Sequence, residues 1–578
     1  MSCIRYLLLA FVPLMCGANA FANGVAPIDL VGDTAAVCVE VQHPDAAFAK
    51  FQSSRLASRL KTFLPVRRFL DGGGFQKWAL LEEYVRRTTG KSLTEQLLAA
   101  CSESLVLAIY LPEGKPPEGV VIAQAANAAA LAEALQTWAT LEPSQVSKSK
   151  EFQGQTYVRR AKSANSVEIV YYVIFDRTIA LSDHEHRIQQ VIEFRAAGQQ
   201  QTGAAPMVRS LSELPLYKAN RSQLPQDAIA FLFLNIRKWD RVIDEGLRQS
   251  KDAAWILQIV NRVAALSAAV RLDDAVVVDV AADTSGVDLP TAWRQFVNST
   301  DGGDDWTKRI TANSVIAISS RMDVTPWVQL WLTFVAKDNS DDFARGRNVL
   351  KSVFQGRDPF TEILPRVLRD FTLSLVPASE VSTDLSPVDL VGDFSIGADP
   401  SLSRNLDQAL QFGMTLLSAA LSHQRSASTG PVLVEAKSTQ EGMERWISGI
   451  KNWSPASLVT AERLVLASSH QAIATRSASK GQDVIQTSRL AAHEKRYFHS
   501  TSQLVWIDLV QLRDVVTKRG DWIANHLAVD STNDRQRIQK HLSRIEEIAK
   551  LFDAAFLAAK FDEQGVRVVF GAALDRIE

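Results

Sequence analysis

The residues of this 578-residue chain whose types could do chemistry together stand at Ser182-Asp183-His184-Glu185-His186. Two imidazoles flanking a carboxylate are donors that zinc accepts, and a water bound to that zinc would make a hydrolase. The same pentapeptide also suits the N-terminus of a helix. A Ser or Asp side chain accepts free N–H groups there, and an acid in the first turn complements the positive end of the helix dipole. Inside a helix, residues two apart point about 200° apart. His184 and His186 are therefore expected to diverge, not to share an ion. Further on, Ser468-Ser469-His470-Gln471-Ala472 keeps a cap and one histidine and loses the acid and the second histidine. Capping is the expected role, no metal ligand is assigned, and zinc-assisted hydrolysis at His184 and His186 is the catalytic alternative.

Other motifs fail on their own chemistry. Thr88-Thr89-Gly90-Lys91-Ser92 ends like a phosphate-binding loop, but Val85 stands where a glycine is needed and a helix precedes it. Gly90 reads as a helix stop and Ser92 as the next cap. Ser147-Lys-Ser-Lys150 and Ser477-Ala-Ser-Lys480 have the Ser-x-x-Lys spacing without the partner motifs of penicillin-binding enzymes. Asp301-Gly-Gly-Asp-Asp305 lacks the alternating ligands of a calcium loop and reads as a linker. The chain carries no Gly-x-Ser-x-Gly, His-Glu-x-x-His or Cys-x-x-Cys. No cofactor is expected, and the reading leans away from catalysis.

Composition narrows the partners. With 63 Lys+Arg against 64 Asp+Glu, the formal charge is -1, which argues against binding nucleic acid by neutralising phosphates. An apolar content of 46% excludes a disordered chain. The even balance hides a basic stretch. Lys50, Arg55, Arg59, Lys61, Arg67 and Arg68 occur without an acid among Phe48, Phe51, Leu56, Leu60, Phe63 and Leu64. Such an amphipathic helix could lie on an anionic membrane surface, or bury its apolar stripe on a sheet. Trp327, Trp331 and Phe334 recur at helical spacing after Thr325, as a partner- or lipid-facing stripe or a core helix would.

The N-terminus predicts export. Arg5, the apolar run Tyr6–Met15 and the small residues of Ala18-Asn19-Ala20 form a signal peptide over 1–20. No later run reaches the 18 apolar residues of a membrane span. Cys16 follows Met15, where a lipoprotein signal would place a small residue. A periplasmic or extracellular location follows, with Cys38 and Cys101 left in the mature chain. A Cys38–Cys101 disulfide would close a loop of about 60 residues and contribute about 4 kcal/mol. Two buried thiols acting as small hydrophobes is the other reading, and both stay open.

The elements that must position these residues recur. Alternating strands with short polar turns, mixed with amphipathic helices, predict an α+β fold whose antiparallel sheets carry helices on one face. Two tandem halves, 21–298 and 309–578, are expected around a linker at 299–308. Asp33–Val41 matches Asn313–Ser320, and strand Leu105–Leu111 matches Phe371–Val376. Arg177–Ser182 matches Arg463–Ser468, Ala228–Arg237 matches Leu504–Arg513, and Ala275–Val280 matches Gly565–Phe570. Val120–Trp138 is set against Val432–Ile450 as strand then helix, leaving Ser401–Leu421 as an extra helix. Ala253–Val270 and Leu406–Leu421 are expected as buried helices. The repeated heptads Pro27–Asp33 and Pro387–Asp393 fall outside this register and read as chance.

With GDTAAVCVEV, SLVLAIYLPEGKPPEGVVIAQAANAAALAEAL and YVIFDRTIALSD in this order, the chain resembles a family of large secreted bacterial proteins catalogued as a domain of unknown function. That resemblance implies export and a repeated α+β build, and brings no catalytic residues. The expected role is a non-catalytic cell-envelope protein that binds or scaffolds. Its partner would be an unknown protein or an apolar ligand, with peripheral contact to an anionic membrane and no nucleic acid. A periplasmic carrier of a lipid or other apolar ligand is the second reading.

Overall fold

A computed structural model describes residues 25–141, 146–161, 168–199, 209–243 except 242, 262–284 except 274, 310, 313–332 except 326, 327, 330 and 331, 340–378, 386, 388–423, 431–478 except 451 and 452, 490, 493–498, 501–528, 532–562 and 565–574. The fold is α+β and its sheet pairings are antiparallel. The chain divides into two compact units, Met1–Asp288 with Gln564–Arg567, and Leu289–Glu563 with Val568–Glu578.

In the first unit the strands are β1 Val37–Gln42, β2 Ser104–Tyr110, β3 Glu118–Gln124, β4 Val146–Phe152, β5 Gln155–Ala161, β6 Ile169–Phe175, β7 Thr178–Ser182, β8 Ala230–Asn235, β9 Ala265–Leu272 and β10 Ala275–Asp283. They lie in the order β10-β9-β8-β1-β2-β3-β7-β6-β5-β4. Turn chemistry sets the register. Gln153 and Gly154 both take the left-handed conformation, φ 49° and 75°, which matches the twist of the β4–β5 hairpin they connect.

Residue alternation along the strands decides the faces. Val106, Ala108, Val120, Ile122 and Phe233 face one way, onto Ile188, Val191 and Ile192 of helix Glu185–Gln199 and Tyr217 of helix Pro215–Gln223. Each large apolar side chain buried in this layer contributes about 1.5–3 kcal/mol. This is the helix-covered face expected from the sequence. Along β3 and β7 the sheet carries a second layer on its other face. There Ala123 and Ile179 pack with Leu131 of helix Ala128–Leu141 and with Cys101.

The two cysteines are thereby separated. Cys38 pairs with Ala108 in register and points into the first layer, while Cys101 lies in the second. Both are free and buried, so the disulfide is not formed: a sheet stands between the thiols. Burial pushes both thiols up, Cys38 well above the usual range and Cys101 to about 12.

The second unit contains β11 Ile316–Arg321, β12 Asp370–Pro377, β13 Val388–Ser395, β14 Leu433–Ser438, β15 Met443–Ser448, β16 Ala456–Val459, β17 Arg463–Ala467, β18 Gln503–Asp508, β19 Ala554–Asp562 and, from residue 568 on, β20 Gly565–Ala573. Their order is β20-β19-β18-β11-β12-β13-β17-β16-β15-β14. Reading β11 for β1 and β20 for β10, this is the strand order of the first unit. Two helices again flank the sheet. His470–Ala478 places Ala472 and Ile473 on Val391 and Val465. Pro400–His423 places Leu402 and Leu406 on Phe394 and Leu464, across the sheet.

Three expectations are corrected. Val432–Ile450 is the β14–β15 hairpin, so the element that stands where β3 does is β13. Helix Pro400–His423 follows it as Ala128–Leu141 follows β3, and is not extra. Met443, Trp446, Ile447 and Ile450 have helical spacing, but pairing with β14 and β16 overrides it. Gly442 also passes so close to the Val459 carbonyl that no side chain fits. Second, Ala265–Leu272 is a strand in a hairpin with β10, so a helix cannot run through Val270. Third, the outer face of Leu406–Leu421 is not buried: Phe412 and Leu416 are exposed. The two heptads also differ, because Pro27–Leu30 is a 3-10 helix and Val388–Asp393 is strand.

Candidate functional site

His184 and His186 sit where β7 ends. Ser182 donates its hydroxyl to the Gly119 carbonyl, 2.6 Å, and accepts the His184 N–H, 3.0 Å. The helix begins only at Glu185, so His184 lies outside it and the expected divergence does not occur. The ring centroids are 5.9 Å apart at 77°. Each ring nevertheless has its own carboxylate, His184 Nδ1 to Asp183 at 2.7 Å and His186 Nε2 to Glu118 at 2.9 Å.

Glu118 is the centre of this network. Only 3% exposed, it also accepts Arg187 Nε at 2.7 Å, and that guanidinium stacks on Tyr110 at 3.8 Å. Burial alone would push the Glu118 carboxyl up. The hydrogen bond and charge of Arg187, with the two histidines, outweigh it and hold the carboxyl below the usual range. Glu185 turns elsewhere, accepting Lys150 Nζ at 2.6 Å and the Tyr157 hydroxyl at 2.5 Å. These bonds tie β3, β4, β5 and the helix start together. Among the described residues no group of three or more His, Cys, Asp or Glu could hold a metal. In the second unit His470 lies flat on Trp446, centroids 4.0 Å apart, with Nε2 3.0 Å from Glu444.

The basic stretch has a different character. It is not one helix but a chain of them, Pro44–Ser53, Arg55–Thr62, Leu64–Leu70 and Gly73–Thr89. Ser54 breaks the first by capping the second, accepting the Ala57 N–H at 3.2 Å. Pro65 opens the third, and Gly72 precedes the fourth. The expected burial of the apolar stripe is met by Leu56 and Ala57 and stops there. Helix Leu64–Leu70 has no buried residue. Phe69 is 70% exposed and lies 6.2 Å from the exposed Phe75 ring. In the fourth helix Val85 faces inward, while Leu80 and Tyr84 stand 71% and 57% exposed, with Leu81 beside them.

Charge accumulates on the same excursion. Residues 50–91 carry ten Lys and Arg against three acids. Lys50 pairs with Asp273, Arg87 with Glu83 and Lys91 with Glu133, each at 2.7 Å. Arg55 and Arg59 have interactions of their own. Lys61, Arg67, Arg68 and Lys77 have no side-chain ion pair or hydrogen bond among the described residues. The basic stretch read from the sequence ends at Arg68, before Asp71 and three glycines, and leaves out Leu80 and Tyr84. Their spacing with Lys77 on one helix face was the available signal. Trp327, Trp331, Phe334, the signal peptide and residues 299–308 lie outside the described residues.

Among the described residues no helix is long and apolar enough to cross a membrane. No family model matches the chain, and no curated protein matches it. Among solved structures, crystal forms III and IV of TP0453 are each similar at 10% identity and a TM-score of 0.25. They cover 47% and 45% of this chain and 84% and 81% of those chains, and likeness at that level carries no conclusion about fold or role.

Proposed function

We propose that this is an exported cell-envelope protein that acts by binding and not by catalysis, and that it docks peripherally on an anionic membrane surface through residues 55–89. Export rests on the Arg5, Tyr6–Met15 and Ala18–Ala20 pattern. The observation that carries the docking is the coincidence on one exposed excursion of Phe69, Phe75, Leu80, Leu81 and Tyr84 with Lys61, Arg67, Arg68 and Lys77, which have no side-chain ion pair or hydrogen bond among the described residues. Exposed apolar groups rimmed by charge mark interaction sites. Basic side chains near an anionic leaflet each contribute about 1 kcal/mol, and the aromatic and leucyl groups would enter the headgroup boundary.

Carriage of a lipid or other apolar ligand is a weaker proposal. An opening of about 680 Å³ in the second unit is lined by three arginines and two aspartates, which suits a charged occupant better than an apolar one. The test of docking is co-sedimentation of the protein with phosphatidylglycerol vesicles and with phosphatidylcholine vesicles. Binding to the first alone, weakened by salt, is expected. Equal or no recovery with both would remove the proposal.

A further inference from the structure

At one end each sheet runs out on a strand that pairs with a single neighbour among the described residues, β4 with β5 and β14 with β15. An open edge is a template for a further strand. On β14 the edge is bare: Leu433, Glu435, Ala436, Lys437 and Ser438 are all exposed.

The adjoining turn fixes which backbone groups of β14 are free. Thr439 N–H donates to the Gly442 carbonyl at 2.8 Å. By alternation, Lys437 and Glu435 turn their backbone groups onto Glu444 and Trp446 of β15. Ile447, which stands opposite Val434, agrees from the other side, donating its N–H away from β14 to the Pro455 carbonyl at 3.1 Å. Val434, Ala436 and Ser438 therefore present their N–H and C=O groups outward. A further strand must pair through these three residues.

The charges on β14 select a partner and a register. A second copy of β14, antiparallel and centred on Ala436, exchanges both bonds between the two Ala436 residues and pairs Val434 with Ser438. It also sets Glu435 of each copy opposite Lys437 of the other, with Cβ atoms about 4.5–5.5 Å apart. Neither side chain has an ion pair or hydrogen bond among the described residues. Moving the centre by one residue sets Glu435 against Glu435 or Lys437 against Lys437, which is destabilising.

Helix Pro400–His423 adds an apolar surface beside this edge. In its C-terminal half Met414 and Leu421 pack with Val432, Val434 and Ile447, and Ser418 donates its hydroxyl to the Val432 carbonyl at 2.7 Å. On its outer side Phe412, Leu416 and Leu417 are exposed, and no Asp, Glu, Lys or Arg occurs from Gln408 to Ser422. A two-fold axis through Ala436, perpendicular to the sheet, puts both helices on one face of a continuous sheet, where these side chains leave water together.

The first unit is closed to such pairing. A copy of β4 centred on Ser149 would oppose Lys148 to Lys150. Helix Ala128–Leu141 has 14 residues against 24, and Trp138 near its end lies under Arg160, 4.5 Å from the ring centroid.

From these observations we infer that the second unit pairs with a second copy of this chain through β14, in an antiparallel dimer centred on Ala436 and buttressed by helix Pro400–His423. The test is sedimentation equilibrium of the full chain and its variants, with circular dichroism as the check on folding. A reversible dimer is expected. Lys437→Glu and Glu435→Lys each oppose like charges twice across the axis, and each should weaken it tenfold or more. The double exchange Glu435→Lys/Lys437→Glu restores both pairs with the signs reversed and should recover most of the affinity. Ala436→Pro removes the central donor from the edge and should leave a folded monomer. A chain that stays monomeric at every concentration would overturn the inference. So would a dimer indifferent to Lys437→Glu and Ala436→Pro, or one that the double exchange fails to recover.

Discussion

The two units share a strand order and differ in what they place inside it. On the face of β2 and β3 that meets helix Glu185–Gln199, the first unit buries Val106, Ala108 and Ile122. The pairings Val106 with Ile122 and Thr372 with Asp393 are equivalent in register, so the second unit has Thr372, Ser374 and Asp393 at those positions. All three are 2% exposed. Arg463 and Arg476 compensate for Asp393, and the Ser319 hydroxyl for Thr372 at 2.8 Å. Antiparallel pairing and two flanking helices therefore tolerate either an apolar or a polar interior, even though Ser374 Oγ and Asp393 Oδ1 are buried without a hydrogen-bond partner among the described residues. We propose that the units descend from one ancestral unit. On that view the surfaces diverged too: a basic, apolar excursion after β1, and an open edge at β14.

The largest expected effect tests that contrast. Asp393→Ala leaves the buried Arg476 and the half-buried Arg463 without this carboxylate and should cost about 3–5 kcal/mol. Ile122→Ala at the equivalent apolar position should cost about 2–5 kcal/mol through a cavity. Urea unfolding midpoints measure both. A cost under 1 kcal/mol for Asp393→Ala would mean that the ion network is incidental.

Glu118→Gln comes next, at about 1–3 kcal/mol, and has a pH signature. The folded-state carboxyl of Glu118 lies below its ordinary value. Its stabilisation is therefore present above about pH 4 and lost as pH falls through the folded value. Acid unfolding followed by circular dichroism should be shallower in the variant, and an identical acid limb would contradict the assignment.

R67Q/R68Q should weaken binding to anionic vesicles about 30-fold, from about 1 kcal/mol for each cation. Thermal stability should hold, since neither side chain has a partner among the described residues. The smallest effect concerns Cys38 and Cys101. With both thiols free and on opposite sides of a sheet, reductant should leave the Tm of the mature chain unchanged, and native alkylation of either should be slow.

What the sequence made legible was local. β2 and β7 are continuous apolar runs between short polar turns, and Ser182 and Ser92 are caps whose partners lie two or three residues away. The β15 strand was misread because Met443, Trp446 and Ile447 satisfy a helix until β14 and β16 arrive from elsewhere in the chain. Glu118 could not be seen as the partner of His186 and Arg187, since the bond spans 68 residues. The open edge of β14 was equally hidden: which strand ends the sheet depends on how all the others pair. Residues 50–68 showed their charge plainly, but whether Leu64 and Phe69 face a core depends on what packs over them.

The central claim, docking through the excursion of the first unit, is tested most directly at Leu80. Because Cys38 and Cys101 are buried, an environment-sensitive fluorophore can be placed on the Leu80→Cys variant in a chain with Cys3 and Cys16 replaced by Ser. A blue-shifted emission with phosphatidylglycerol vesicles, absent with phosphatidylcholine and reversed by salt, is the predicted result. Emission that stays water-like with both vesicle types would contradict the account.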